Sequence, residues 1–181
     1  YSNEKPRWLI HPEYAEEVDV IALELGEKET LSQIRAINEI NFDDQNLLIS
    51  DDTFIIGFPY KLNSGGNLPL WKRGSVASEP DIDIDDLPKI LIDTASRPGM
   101  SGSPVIFRRQ GIHGLANGEV TNDTIIGEIQ NFCGIYSGRI SRNTELDSQL
   151  GIVWKARVIK EIINGKKTDK KYYPHENSVR Q

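Results

Sequence analysis

Short apolar or alternating segments, each bounded by Gly, Pro, Asn or Asp, recur along the chain, and that pattern predicts strands rather than helices. The predicted strands cover residues 7–10, 18–25, 53–57, 74–77, 89–93, 103–107, 124–128, 132–137 and 151–154. Many short strands separated by turn residues are how an all-β barrel or sandwich reads. Only two stretches have helical spacing: a weak one over 29–37, and a strong one over 155–164. In the second, Val158, Ile159, Ile162 and Ile163 share one face and Gly165 supplies a stop. Residues 32–52 are polar and poorly periodic, which suits a connection between two β units. After Gly165 the chain turns to Lys-Lys-Thr-Asp-Lys-Lys-Tyr-Tyr-Pro, and a solvated tail is expected.

Composition narrows the class. With 181 residues, 38% hydrophobic and 27% charged, the chain has the make-up of an ordinary globular protein able to bury a core. No apolar run approaches the roughly 18 residues a membrane span needs, so no membrane partner is expected. A formal charge of -6 argues against a nucleic-acid partner, which would call for a basic face. Cys133 is the only cysteine, so no disulfide forms within the chain. That, with the lack of a signal-peptide pattern in the first residues, makes the cytoplasm the expected compartment. The sequon at Asn122 reads as chance occurrence for the same reason.

Chemistry concentrates in the stretch RPGMSGSPVI, residues 97–106. Glycines on both sides of Ser101 allow a tight turn that presents the hydroxyl and leaves room for a substrate. In such a turn the N–H groups of Gly99 and Ser101 can point to one spot and stabilise the oxyanion of a tetrahedral intermediate. The remaining candidates are weaker. Asp81-Ile-Asp83-Ile-Asp85-Asp86 opens like a calcium loop, but it lacks glycine at the sixth position and has Ile92 where glutamate is needed, so it reads as a solvated acidic loop. Lys72-Arg73 is too short for a nucleic-acid patch, and Cys133 reads as a buried structural thiol. No two of His11, His113 and His175 have metal-ligand spacing; neither a metal nor a cofactor is expected.

GMSGSPV resembles the nucleophile loop of trypsin-like serine peptidases, the chymotrypsin-fold family of two six-stranded β-barrels with a cleft between them. Four further segments resemble that family in the right order: HPEYAEEVDVIALEL, TFIIGFPY with LPLWKRGSVAS, FCGIYSGRI, and LGIVWKARVIKEII. The resemblance covers roughly residues 8–165. It implies that 1–50 hold the end of a first barrel and an interdomain connection, that 51–165 form a second barrel with a C-terminal helix, and that 166–181 are a polar tail. It implies a Ser/His/Asp triad with Ser101 as nucleophile and Asp19 as the carboxylate that orients the imidazole. The same residue-by-residue reading puts Ala95, Ser96, the Tyr136-Ser137-Gly138-Arg139 strand and Gly151 around the substrate pocket, and lets Ser137 bond the catalytic aspartate. Ala95 stands where cleavage after Lys or Arg would want an acid, so a small or apolar residue is expected there instead; Arg139 leaves an acidic preference open. Met100 stands where the digestive members carry an aspartate, which implies an oxyanion loop formed without their activation switch.

The base is missing from this pattern. The family order is His, Asp, Ser, yet only 18 residues precede Asp19, and the histidine of the His-Pro-x-Tyr segment, His11, is in the family a surface or cleft-rim residue and not the base. The expectation is therefore a histidine upstream of residue 1, acting on a protein or peptide substrate. The alternative is a pseudopeptidase that keeps the fold as a binding or scaffolding module. Oligomeric state is left open.

Overall fold

Alternation between a buried and a solvated face organises the larger of two sheets in the computed structural model, which describes residues 8–25, 36–37, 46–95, 97–140 and 149–169. Six strands form it: β3 (Asp52–Gly57), β4 (Leu70–Val76), β5 (Lys89–Asp93), β6 (Pro104–His113), β7 (Ile125–Arg139) and β8 (Leu150–Lys155). All neighbours are antiparallel, in the order β3-β4-β5-β8-β7-β6, and β6 pairs back onto β3, so the ring closes. In β3 every second residue, Thr53, Ile55 and Gly57, is buried, and in β5 Ile90 and Ile92 are. With Met100, Val105, Tyr136 and Val153 these isoleucines make the core inside the ring. Each such aliphatic side chain contributes about 1.5–3 kcal/mol by leaving water.

Trp154 follows Val153 on β8 and so points to the opposite face. There it packs with Val158 and Ile162 of α1 (Arg157–Gly165) and with Val18, while Leu9, Tyr14 and Ala22 surround them. This second core joins the ring to the smaller sheet, β2 (Ala22–Leu23), β1 (Trp8–Ile10) and β9 (Lys167–Thr168), in that order. The protein is thus mostly β, with one helix of nine residues among the described ones. None is long and apolar enough to cross a membrane.

Several boundaries differ from the sequence pattern, each for a physical reason. The segments predicted at 124–128 and 132–137 are one strand of 15 residues, because the ladder with β6 continues from His113↔Ile125 to Pro104↔Ile135 across the gap at Ile129, Gln130 and Asn131. The strand predicted over 18–25 shrinks to Ala22–Leu23, since its partner β1 has only three residues to offer. The helix ends on Lys166, which takes the left-handed conformation and bonds its N–H to the Ile162 carbonyl at 3.2 Å; Gly165 is instead pressed against Pro12. Lys167 and Thr168, expected in a solvated tail, pair with β1, and Asp169, expected there too, is buried. Most of the weak helix at 29–37 and of the connection at 32–52 lies outside the described residues.

Candidate active site

Ser101 stands in the turn that links β5 to β6, and its neighbours decide which way it faces. Met100 is 1% exposed and sits in the ring core, so the next side chain, Ser101, is turned outward and is exposed. The turn is possible because Gly99 and Gly102 both adopt positive φ, 91° and 83°, where any other residue would be strained. It is stitched to β7 on its far side: the Gly102 N–H donates to the Tyr136 carbonyl at 2.7 Å, and the Tyr136 N–H to the Ser103 carbonyl at 2.9 Å. Ser103 N–H closes the turn on the Met100 carbonyl at 3.1 Å. Among the described residues, no hydrogen bond uses the N–H of Gly99 or of Ser101. Two amides in an exposed glycine turn are therefore available to an incoming oxyanion.

The Ser101 hydroxyl donates to the main-chain carbonyl of Ser137 at 3.1 Å. Ser137 lies at an irregularity of β7, where the register with β8 shifts between Tyr136 and Gly138. Beyond it, Gly138 comes close enough that a Cβ there would stand 4.0 Å from Ser101 Oγ. Arg139, exposed, pairs in register with Gly151 of β8. Gly151 has no room for a side chain: a Cβ would meet the Tyr136 ring at 2.7 Å and the Thr94 methyl at 3.1 Å. Half-buried Ala95 follows Thr94, whose N–H bonds the Gln149 carbonyl at 2.9 Å. Hence Ser101, Ser137, Gly138, Arg139 and Gly151 form one neighbourhood, with Ala95 beside Thr94 at its edge; Ser96 lies outside the described residues.

The expected carboxylate and the histidines are not joined to this neighbourhood among the described residues. Asp19 is exposed and lines a cleft of about 330 Å³ with Trp8, Ile10, Val18, Val20 and Asp169, on the side of the smaller sheet. No hydrogen bond or ion pair links it to Ser101 or Ser137 among the described residues. His11, expected at a surface or cleft rim, is 2% exposed. Its Nδ1 accepts from the N–H groups of Glu13 and Tyr14 at 3.3 and 3.2 Å, which leaves Nε2 to donate to Glu161 at 2.9 Å. It locks the β1–β2 connection to α1. His113 is buried on the β6–β7 hairpin with Nε2 3.2 Å from the Gly127 carbonyl, and His175 lies outside the described residues. No described histidine touches Ser101.

Two other carboxylates, Asp83 and Asp51, hold loops to the ring. Asp83, expected in a solvated loop, binds Lys155 at 2.6 Å and also Arg157, and so ties the acidic loop to the start of α1. Burial raises the Asp83 pKa, but hydrogen bonds from Lys155 and Arg157, helped by their charges, outweigh this and hold it below the usual carboxylate value. Asp51, 7% exposed, takes a two-pronged bond from Arg109, at 2.7 and 2.5 Å, and accepts the Leu48 N–H. Among the described residues no group of three His, Cys, Asp or Glu is placed to hold a metal ion.

Sequence reasoning missed two supports of the Ser101 turn. One is Gly57, where a Cβ would stand 2.2 Å from Ser103 Oγ; the glycine closing the run TFIIG is the trace it leaves in the sequence. The other is the 3-10 turn Pro59–Lys61, whose Tyr60 N–H donates to the Pro98 carbonyl at 2.9 Å. Compared with known protein families and with curated proteins, the chain matches none.

Proposed function

We propose that the chain carries the nucleophile of a trypsin-like serine endopeptidase, with the ring over 51–165 as the family's second barrel and the smaller sheet as the end of its first. The observation that carries this reading is the Ser101 turn: an exposed hydroxyl beside a buried Met100, and two neighbouring amides that have no partner among the described residues. A six-stranded ring that runs from β8 into α1 is in keeping with the resemblance of the segments over 53–165.

In the proposed reaction Ser101 Oγ attacks the carbonyl carbon of a peptide bond while a histidine upstream of residue 1, held by Asp19, takes its proton. The negative carbonyl oxygen is received by the N–H groups of Gly99 and Ser101. The imidazolium then gives its proton to the departing amine, leaving an acyl group on Ser101 that water removes by the same steps. An extended protein or peptide substrate would lie along β7 past Ser137 as an added strand. Arg139 is exposed there, and a side chain at Gly151 would meet Tyr136, Thr94 and Ile92.

The test is cleavage of a peptide library by the protein with its native amino terminus. Cutting after small, apolar or acidic residues, lost in Ser101→Ala, is the expected result; dominant cutting after Lys or Arg refutes the pocket assignment. A second reading, a pseudopeptidase used as a binding module, is favoured by the fact that Ser101 bonds a carbonyl and no described imidazole. Absence of any cleavage by the folded protein selects it.

A further inference from the structure

The loop that holds the Gly99 and Ser101 amides is clasped from outside the ring by the turn after β3. Tyr60 N–H donates to Pro98 O at 2.9 Å. Gly99 lies so close to the turn that a Cβ on it would stand 3.1 Å from the Phe58 carbonyl oxygen and 3.3 Å from Tyr60 N. The turn itself is held in an unfavourable conformation: Tyr60 and Lys61 have φ of 52° and 62°, a region that residues with a Cβ rarely occupy. It is closed by Lys61 N–H to Phe58 O at 3.0 Å and Leu62 N–H to Pro59 O at 2.8 Å. The Tyr60 side chain is 59% exposed and buries little, so its own packing does not account for the strain. What the conformation does achieve is to aim the Tyr60 N–H at Pro98, one residue before Gly99.

We infer that Tyr60 is a positioning residue: its main-chain N–H, presented by the strained 59–61 turn, keeps Gly99 and Ser101 in the oxyanion-binding conformation before any substrate arrives. This rests on the peptidase reading above, and it gives Met100 a complement. Met100 anchors the loop from within the core, and Tyr60 anchors it from the surface. A loop pinned on both sides needs no ion pair at the Met100 position to take shape.

The experiment compares backbone amide order parameters in wild type, Tyr60→Pro and Tyr60→Gly. Proline removes the N–H and cannot adopt φ of 52°, whereas glycine keeps the N–H and accepts that φ. Wild type is expected to show order parameters of about 0.85 at Gly99 and Ser101, falling below about 0.6 in Tyr60→Pro. Tyr60→Gly is expected to restore the wild-type values, and β8 amides are expected to stay rigid in all three. In the protein with its native amino terminus, Tyr60→Pro should also slow fluorophosphonate labelling of Ser101 by about tenfold. Rigid Gly99 and Ser101 amides in Tyr60→Pro overturn the inference, because Met100 alone would then suffice. Should Tyr60→Pro fail to fold, Gly99→Ala wedges the same contact from the other side. Increased mobility of Tyr60 in that variant supports the clasp, and unchanged mobility overturns it. Failure of wild type to label removes the peptidase reading and leaves the order parameters to decide the clasp.

Discussion

Gly57 shows how narrowly the Ser101 turn is fitted. A methyl group there would stand 2.2 Å from Ser103 Oγ and 3.4 Å from Met100 Sδ, and both belong to the segment that carries Ser101. Gly57→Ala is expected to lower stability by about 1–3 kcal/mol, as overpacking of a close-packed interior does, measured by urea unfolding. Cys133 offers a contrasting residue-scale check. It packs against the ring core, and burial first, then the charge of Asp51, pushes its thiol far up, against a weaker opposing bond to the Phe107 backbone. With so little thiolate present, alkylation of native protein at mildly alkaline pH is expected to be at least about tenfold slower than in denaturant. Equal rates in a thiol-titration assay would contradict this environment.

At the scale of elements, two carboxylates fasten α1. Asp83 reaches it from the 81–86 loop through Lys155 and Arg157, and Glu161 reaches His11 on the β1 side while also pairing with Arg157 at 3.0 Å. Burial raises the Glu161 pKa, but bonds from His11 and Arg157 and their charges bring it below its ordinary 4.5, as Asp83 is brought below 3.8. Because these native pKa values are lowered, the unfolded chain binds more protons in the acid range. Their stabilisation is thus complete above those ordinary values and is lost as pH falls through the lower native ones. Asp83→Asn is expected to cost about 0.2–1 kcal/mol at neutral pH and to flatten the decline of stability in acid, followed by urea unfolding across the range. The helix itself was legible from Val158 and Ile162; what fastens it was not. Asp81-Ile-Asp83-Ile shows only a local run of acids, and the cations that meet it are more than seventy residues away.

Over the whole molecule, β3 and β5 were readable because burial alternates along them: β5 over Lys89–Asp93 follows the pattern to the residue. Strand ends and pairings were less so, since β7 is held together across Gly127 and Asn131 by its partner β6 rather than by its own propensity. The same division holds for the site. Ser101, Gly99, Ser137, Gly138 and Gly151 were legible as a turn and two strands. Tyr60 was not, because its contribution is one main-chain N–H in a turn whose partner lies 38 positions away. Asp19 lies in the connection between β1 and β2, and among the described residues no bond joins it to the turn. In the peptidase reading proposed above, the ring would present a nucleophile, its oxyanion donors and a strand for substrate, with the base supplied from outside the described residues. Reaction of the protein bearing its native amino terminus with a fluorophosphonate probe, mapped by mass spectrometry, tests this most directly. The account predicts a single adduct on Ser101 that Ser101→Ala abolishes; an unlabelled folded protein, or an adduct on another serine, would contradict it.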